Sequence, residues 1–420
     1  MKLTINNIGK LKNAKVEIKG ITVIAGENDT GKSTVGKILW SVFNGFYKID
    51  EKVYKEKVSE LEKIVDKLMK ENGYDKITDS FKDFFGIFDR TEEKIAIELL
   101  KNNKNYSENE IKIIINNYKK DLKIGNISNF VQEINDTLKI LDEEIIKVII
   151  SRVMNREFHN QINTVFSKEK RNIGKINFEI KEMNIDLNIE NNKISDIRNY
   201  FTLNNEIMYI DNLSILDKHD YEDENHQTHL ERNVFSENEN NVISEIKVQK
   251  KLNNIYQKLN NVLSGEILEN KNDKLIYRKN GEDIDLKNLS AGLKTFAIIK
   301  MLLQNGTLEE NGTIILDEPE IHLHPEWQVK LAELIILFQK EFGMHILLTT
   351  HSPYFLKAIQ VYTKKYEIEN KCRYYMSENI GKSSILADKT NKLQDIFYKL
   401  TIPFEDLMNE EDLLWRKTKI

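Results

Sequence analysis

The chain has 420 residues, of which 40% are apolar and 31% are charged, and its formal net charge is −5. This composition provides apolar surface for a large core and excludes a fully disordered chain. The acidic balance argues against a surface coated in basic residues for nucleic acid, although it leaves room for a local basic groove. The length predicts about two to three domains of ordinary size.

Cysteine usage and the lengths of the apolar runs predict a cytoplasmic protein without a membrane span. The single cysteine, Cys372, cannot form a disulfide within the chain, which is typical of a reducing compartment. The first residues, MKLTINNIGK, lack the apolar run of a signal peptide. The longest apolar-rich run, Leu331–Phe338, is interrupted by Glu333 and is far too short to cross a bilayer.

The N-terminal part of the chain predicts a compact α/β unit. Short apolar clusters predict strands at Leu3–Asn6 and Ala14–Ile18. The continuous β-branched run Ile21–Ala25 predicts a strand that is buried on both faces. A glycine-rich turn follows, and a helix is predicted from about Lys32 to Asn44.

The turn between that strand and that helix has the sequence GENDTGKS, which fits the phosphate-binding pattern G-x-x-x-x-G-K-[ST]. Glycines allow successive N–H groups to point at phosphate oxygens, and the start of the helix adds partial positive charge. Lys32 is predicted to reach the β- and γ-phosphates of ATP, and Ser33 to bind Mg²⁺. The predicted ATP-binding residues all lie in or beside this turn: Gly26, Asn28, Thr30, Gly31, Lys32, Ser33 and Thr34.

A charged segment without proline, residues 47–204, predicts an inserted and mainly helical arm. Its heptad spacing from Tyr54 to Leu68 lasts only about two repeats, which excludes a long coiled coil. Ser107 and Glu110 predict a capping box, and residues 127–162 predict another long helix. A solvated helical domain without chemistry of its own is the favoured interpretation of the arm.

The chain then returns from the arm to the main sheet. Residues 176–180 and 185–189 predict strand-like pieces that lead back, and Ile207–Ile210 predicts a strand of the main sheet. The polar residues 217–241 predict a loop. Chance histidines in a loop are a better interpretation than a metal cluster for the three histidines of this segment, His219, His226 and His229.

Two later strands end in polar residues suited to phosphate chemistry. The buried run Thr313–Asp317 delivers Asp317, which is predicted to hold Mg²⁺, and the adjacent Glu318, which is predicted to act as general base for the attacking water. The strand Ile346–Thr350 is followed by His351, which is predicted to sense the γ-phosphate.

Residues Leu289–Lys294 (LSAGLK) resemble the signature motif of ABC-type ATPases, and the other motifs follow in that family's order. The chain is therefore similar to ABC ATPase heads of the SMC and OLD-like (overcoming-lysogenisation-defect) branch, in which a helical arm interrupts the head. The run DEPEIHLHP more closely resembles OLD-like and bacterial anti-phage ATPases, including those of the Septu and PARIS systems. The resemblance covers residues 1–46 and 205–360, and residues 361–420 are expected to form an α/β extension packed on this head.

The resemblance implies an α/β P-loop NTPase head with a mixed sheet, ATP and Mg²⁺ as cofactors, and a homodimer or higher homo-oligomer. It further implies that Ser290 and Gly292 of one protomer complete the ATP site of another, with Lys294 adding positive charge. The sequence departs from the family at His324, which stands where transporters have a D-loop aspartate. No glutamine is assigned to the Q-loop, and His322 with His324 is interpreted as part of an interface.

Several functions are compatible with such an ATPase. The absence of a predicted span sets transport aside. Intrinsic nuclease activity is disfavoured because the carboxylates after His351 lie in polar or amphipathic contexts, namely Glu378, Asp388, Asp395, Glu405 and Asp406. The favoured prediction is a dimeric sensor or scaffold of anti-phage defence that controls a separately encoded effector, a nuclease or another toxin.

The alternative is an SMC-like DNA repair or maintenance ATPase that clamps DNA. Basic clusters at Lys119–Lys123 and Lys168–Arg171 would then contact phosphates, although solvated helix faces explain them better. A structural dimer that hardly turns over ATP is the third option, and Glu318 argues against it because a structural site needs no general base.

Overall fold

A computed structural model describes residues 1–73, 90–102, 104–120, 122–166, 172–211, 214–216, 224–235, 255–269 and 275–417. The chain forms two compact units. The head unit comprises Met1–Tyr47 and Ile150–Ile420, and the helical unit comprises Lys48–Ile149. No helix among the described residues has both the length and the apolar character needed to cross a membrane.

A large mixed sheet is the framework of the head unit. The described strands are, in chain order, β1 (Lys2–Ile8), β2 (Leu11–Glu17), β3 (Ile21–Gly26), β4 (Gly174–Ile180), β5 (Met183–Glu190), β6 (Lys193–Arg198), β7 (Ile207–Ile210), β8 (Glu266–Glu269), β9 (Leu275–Lys279), β10 (Glu282–Asp285), β11 (Thr313–Asp317), β12 (His345–Thr350), β13 (Cys372–Ile380) and β14 (Ser383–Asp388). Among these, eleven form one sheet in the order β6-β5-β4-β1-β2-β14-β13-β3-β12-β11-β7, and β10-β9-β8 form a second. The predicted α/β fold with a mixed sheet is confirmed.

The centre of this sheet is parallel and buried. All six residues of β3 are buried, and β3 pairs in parallel with both β12 and β13. Strand β11 lies next, in parallel register with β12 on one side and β7 on the other. The carboxyl ends of parallel strands meet at one edge of a sheet. The segments that follow β3, β11 and β12 therefore emerge side by side.

Helices flank the sheet or build the helical unit. In chain order they are α1 (Lys32–Phe46), α2 (Ile49–Glu71), α3 (Thr91–Asn102), α4 (Glu108–Tyr118), α5 (Ser128–Lys139), α6 (Asp142–Glu157), α7 (His226–Phe235), α8 (Ala291–Gln304), α9 (Pro325–Phe342), α10 (Pro353–Lys365) and α11 (Leu393–Lys417), and residues 255–260 are also helical. The predicted first helix corresponds to α1. Helix α6 begins in the helical unit and ends in the head unit.

The helical unit has a core of its own. Its longest helix, α2, buries the heptad positions Leu61, Val65 and Leu68 against apolar side chains of α3, α4 and α5, whereas Tyr54 is exposed. The predicted capping box is confirmed, because the side chain of Ser107 accepts from the N3 backbone N–H while the Glu110 carboxylate accepts from the backbone N–H of Ser107. Amphipathic helices with local caps thus account for this unit.

Several helices and strands have other bounds, or another place in the fold, than the sequence predicts. Residues 127–162 form two helices, α5 and α6, with a break at residues 140–141. The predicted strands at 176–180 and 185–189 exist as β4 and β5, but they belong to the main sheet because β4 pairs with β1. The predicted loop at 217–241 contains helix α7, and its residues 217–223 and 236–241 lie outside the described residues.

The C-terminal segment also contributes to the main sheet. The sequence predicts that residues 361–420 form an α/β extension packed on the head. The structure places their strands β13 and β14 between β3 and β2, near the middle of the sheet, so they are part of the sheet itself. The run CRYYM at the start of β13 is mostly buried, which explains its central place.

Candidate active site

The turn between β3 and α1 forms a tight cradle. Gly31 has φ of +80°, a left-handed conformation that glycine adopts without strain. The hydroxyl of Thr30 donates to the carbonyl of Glu27 at 2.8 Å, and that of Ser377 in β13 donates to the carbonyl of Thr30 at 2.6 Å. A Cβ on Gly26 would lie 2.7 Å from the Ser377 carbonyl oxygen, so glycine is required there. Contacts within the turn and contacts from β13 therefore both fix its shape.

Lys32, the first residue of α1, is buried in this cradle. Its Nζ donates to the carbonyls of Glu27 at 2.8 Å and Gly26 at 3.2 Å, and it lies 3.1 Å from Glu318 Oε1. The ammonium group is thus held where phosphates would meet the loop, with a carboxylate as its ionic partner. The other predicted ATP-binding residues lie in the loop or in the first turn of α1: Asn28, Ser33 and Thr34.

Glu318 connects the cradle with the histidine that follows β12. Its backbone N–H donates to both the carbonyl and the hydroxyl of Thr349, at 3.2 and 3.0 Å, and its φ is +48°. Its second carboxylate oxygen lies 3.4 Å from Nδ1 of His351, whose side chain is 40% exposed. Lys32, Glu318 and His351 therefore converge, and the side chain of His351 is partly exposed; that they form a γ-phosphate site stays a prediction.

The two predicted Mg²⁺ ligands also lie together. The side chains of Ser33 and Asp317 are hydrogen-bonded. Tyr209 donates from its hydroxyl to Asp317 Oδ2 at 3.1 Å, and the Thr349 hydroxyl donates to Oδ1. Burial raises the pKa of Asp317, and hydrogen bonds from these three hydroxyl groups oppose that rise. A hydroxyl beside a carboxylate supplies the hard oxygen ligands that Mg²⁺ prefers, so these residues fit the ion.

Three residues of this site had no role assigned from the sequence. Thr349 stands opposite Asp317 in the register of β11 and β12, so parallel pairing of the two predicted strands is the signal that could have found it. Glu320 is 1% exposed, accepts a hydrogen bond from Thr350, and has a pKa that burial raises. Tyr209 carries no local sequence signal, because its role depends on the position of β7 beside β11.

The segment that resembles a signature motif begins helix α8. Ser290 is the exposed N-cap residue, and its side chain makes no capping hydrogen bond. Gly292 is buried in the first turn, and Lys294 is only 8% exposed. His324 caps α9 by accepting the N–H of Glu326 at 3.4 Å. The Lys32–Glu318 ion pair and the hydrogen bonds from Tyr209 and Thr349 to Asp317 lie outside this segment, and its role across a dimer stays a prediction.

His226 lies on a helix and is buried, rather than standing in a loop. Its Nδ1 is 2.9 Å from Glu157 Oε1, and its Nε2 is 2.8 Å from Asp211 Oδ2. Burial lowers the pKa of this imidazole, but the two carboxylates dominate and raise it to about 9. His229 lies 3.3 Å from Glu206, and His219 is outside the described residues. Within the described ranges, no group of three or more His, Cys, Asp or Glu residues is arranged to hold a metal ion.

Comparison with known proteins places this site in a family. The model of the AAA ATPase domain matches residues 1–356. The chain belongs to the AAA ATPase domain family. The predicted ATPase class is thereby confirmed, and the match includes the P-loop, Asp317, Glu318 and His351.

Individual relatives are more distant. The chain is 32% identical over 92 residues to a protein described as "Retron Vc95 probable ATPase" from Vibrio cholerae serotype O1 biovar El Tor, which is 19% of this chain and spans only 17% of that relative's length. It is similar at 12% identity to the SMC head domain from Thermotoga maritima, with a TM-score of 0.39 over 92% of this chain and 97% of that one. An SmcHead bound to the C-winged helix domain of ScpA gives 12% identity and a TM-score of 0.45 over 92% and 96%.

Proposed function

We propose that this AAA ATPase domain binds and hydrolyses ATP with Mg²⁺, dimerises when ATP is bound, and acts as a cytoplasmic sensor or scaffold that controls a separately encoded effector in anti-phage defence. The observation that carries the ATPase part is the convergence of Lys32, Glu318 and His351 at the ends of neighbouring parallel strands. A cation, a carboxylate and an exposed histidine are thus assembled where a γ-phosphate would leave.

Each residue has a distinct task in this mechanism. Lys32 stabilises negative charge on the β- and γ-phosphates, and Glu318 accepts a proton from the attacking water. His351 contacts the γ-phosphate from the accessible side. Ser33 and Asp317 hold Mg²⁺, which when bound neutralises charge on the phosphate oxygens.

Dimerisation is proposed because the segment that resembles a signature motif is exposed at the start of a helix. Ser290 is exposed at the start of a 14-residue helix, where backbone N–H groups and the helix dipole favour an anion. We assign Ser290 and Gly292 to the γ-phosphate of a second protomer, with Lys294 behind them. A two-fold dimer then encloses two ATP molecules, and hydrolysis removes the bridges between the protomers.

The role in defence is supported by the relative described as a retron ATPase and by the overall acidic balance, which favours a protein partner over DNA. Because no nuclease residues are assigned after His351, the proposed effector would supply the catalytic activity itself. The competing proposal, an SMC-like clamp on DNA, predicts a different partner for the same ATP-bound dimer.

A pull-down of the Glu318→Gln protein from its native operon, with ATP and Mg²⁺, distinguishes these two proposals. The substitution is expected to stop hydrolysis and keep the ATP-bound state, while Lys32→Ala serves as the matched control that cannot hold ATP. A stoichiometric nuclease or toxin, captured with Glu318→Gln and lost with Lys32→Ala, is the expected result. Recovery of only the homodimer with nuclease-sensitive DNA would replace the defence role by the clamp.

A further inference from the structure

A buried series of contacts leads away from Asp317 into the head unit. Tyr209, in the middle of β7, is fully buried. Its hydroxyl reaches Asp317 Oδ2 at 3.1 Å, and its ring stacks on the imidazole of His226 with centroids 4.2 Å apart and an interplanar angle of 25°. Tyr209 therefore touches a predicted metal ligand at one end and a histidine along its face.

The histidine itself is held on both sides. Glu157, at the end of α6, and Asp211, directly after β7, each place a carboxylate oxygen within hydrogen-bond distance of a different ring nitrogen. The edge of Trp40 packs against the same ring, with centroids 6.1 Å apart. His226 is 4% exposed. An imidazole with a carboxylate oxygen close to each nitrogen cannot rotate without separating an ion pair inside the protein, which is costly.

Two of the three hydroxyl groups that bond the Asp317 carboxylate lie on different oxygens. Thr349 donates to Oδ1 and Tyr209 to Oδ2, so loss of either donor frees one oxygen of the carboxylate. Thr349 is anchored by its own strand. The orientation of the Tyr209 ring depends on the imidazole of His226, on which it stacks.

We propose that Tyr209 and His226 are positioning residues for the metal-binding carboxylate: His226, fixed between Glu157 and Asp211, fixes the ring of Tyr209, whose hydroxyl orients Asp317 toward Mg²⁺. This inference rests on the proposed function, because that function makes Asp317 a metal ligand. Partners that orient a ligand in this way tune metal affinity without touching the metal.

The test compares binding of a fluorescent, non-hydrolysable ATP analogue in excess Mg²⁺ and in EDTA. The ratio of the two dissociation constants measures how much the metal strengthens nucleotide binding, independently of turnover. Tyr209→Phe keeps the ring and its stacking but removes the hydroxyl, and His226→Gln removes the stacked ring. His229→Gln is the matched control, since His229 lies one turn further along α7, pairs with Glu206 and also packs against Trp40.

We expect the metal-dependent gain to fall by about tenfold in Tyr209→Phe and by a similar factor in His226→Gln, with affinity in EDTA unchanged. The control should keep the wild-type ratio. A lower melting temperature with an unchanged ratio in Tyr209→Phe would overturn the inference, even if His226→Gln fails to fold. A wild-type protein with no metal-dependent gain and no ATPase activity would instead overturn the proposed function, and the inference with it.

Discussion

Glu318 is the most strained of the predicted catalytic residues. A φ of +48° is unfavourable for a residue with a Cβ, and such conformations persist where the surroundings hold them in place. The two hydrogen bonds from its N–H to Thr349 do so here. This backbone conformation places the carboxylate between Lys32 and His351, where the predicted general base would be needed.

This strain predicts an unusual order of stabilities. Glu318→Gly should be more stable than Glu318→Ala by about 1 kcal/mol, because both lose the carboxylate and only glycine relaxes the backbone. Urea denaturation of the two variants measures the difference. At Glu326, in the first turn of α9, the order should reverse by about the same amount, since alanine favours the helix. An alanine variant at 318 that equals or exceeds the glycine variant would contradict the assignment of strain.

The charge of His226 predicts how stability depends on pH. Its pKa is raised from an ordinary 6.5 to about 9, so its contribution is complete below pH 6.5 and is lost as pH rises through 9. Between these limits the unfolding free energy of the wild type should fall by on the order of 3 kcal/mol relative to His226→Gln. Denaturation at pH 6, 8 and 10 measures this, and parallel profiles for the two proteins would show that folding does not raise the pKa of this histidine.

At the scale of elements, the sequence predicts those helices and strands that a local residue pattern determines. The β-branched run of β3, the glycine turn and the start of α1 lie close together in the chain, and the structure has them as predicted. The strand ending at Asp317 and the strand before His351 were predicted for the same reason. Hydrophobic runs bounded by turn residues specify such elements almost without tertiary information.

Partners that are distant in the chain could not be predicted in this way. Strand β13 inserts beside β3 and supplies Ser377 to the phosphate loop from more than three hundred residues away. Helix α7 was interpreted as loop because its composition is mostly polar, although Leu230 and Val234 are buried in the apolar core and His226 is buried between two carboxylates. Tyr209 was missed because strand order, which the sequence does not display, puts β7 beside β11. These contacts surround the predicted catalytic residues, whereas the sequence motifs contain those residues themselves.

At the scale of the whole molecule, the family match extends from residue 1 to 356 and so includes the helical unit together with most of the head unit. The P-loop and the exposed Ser290 belong to one compact unit, yet the Lys32–Glu318 ion pair and the hydrogen bonds from Tyr209 and Thr349 to Asp317 involve other residues. An exposed segment of this kind either has no role in ATP binding or forms half of a site that a second protomer completes. Mixing two inactive variants separates these interpretations.

Lys32→Ala destroys the phosphate cradle and keeps Ser290, while Ser290→Arg keeps the cradle and blocks the segment opposite. Each variant alone should lack ATPase activity. Mixed in equal amounts, they should regain about a quarter of wild-type activity, because half of the dimers pair the two variants and each such dimer has one intact site of two. The mixing assay needs Lys32→Ala with Glu318→Gln as its control, since both changes damage the same half-site and leave no intact combination. Activity that stays absent in the first mixture would mean that Ser290 serves the ATP site of its own chain or none.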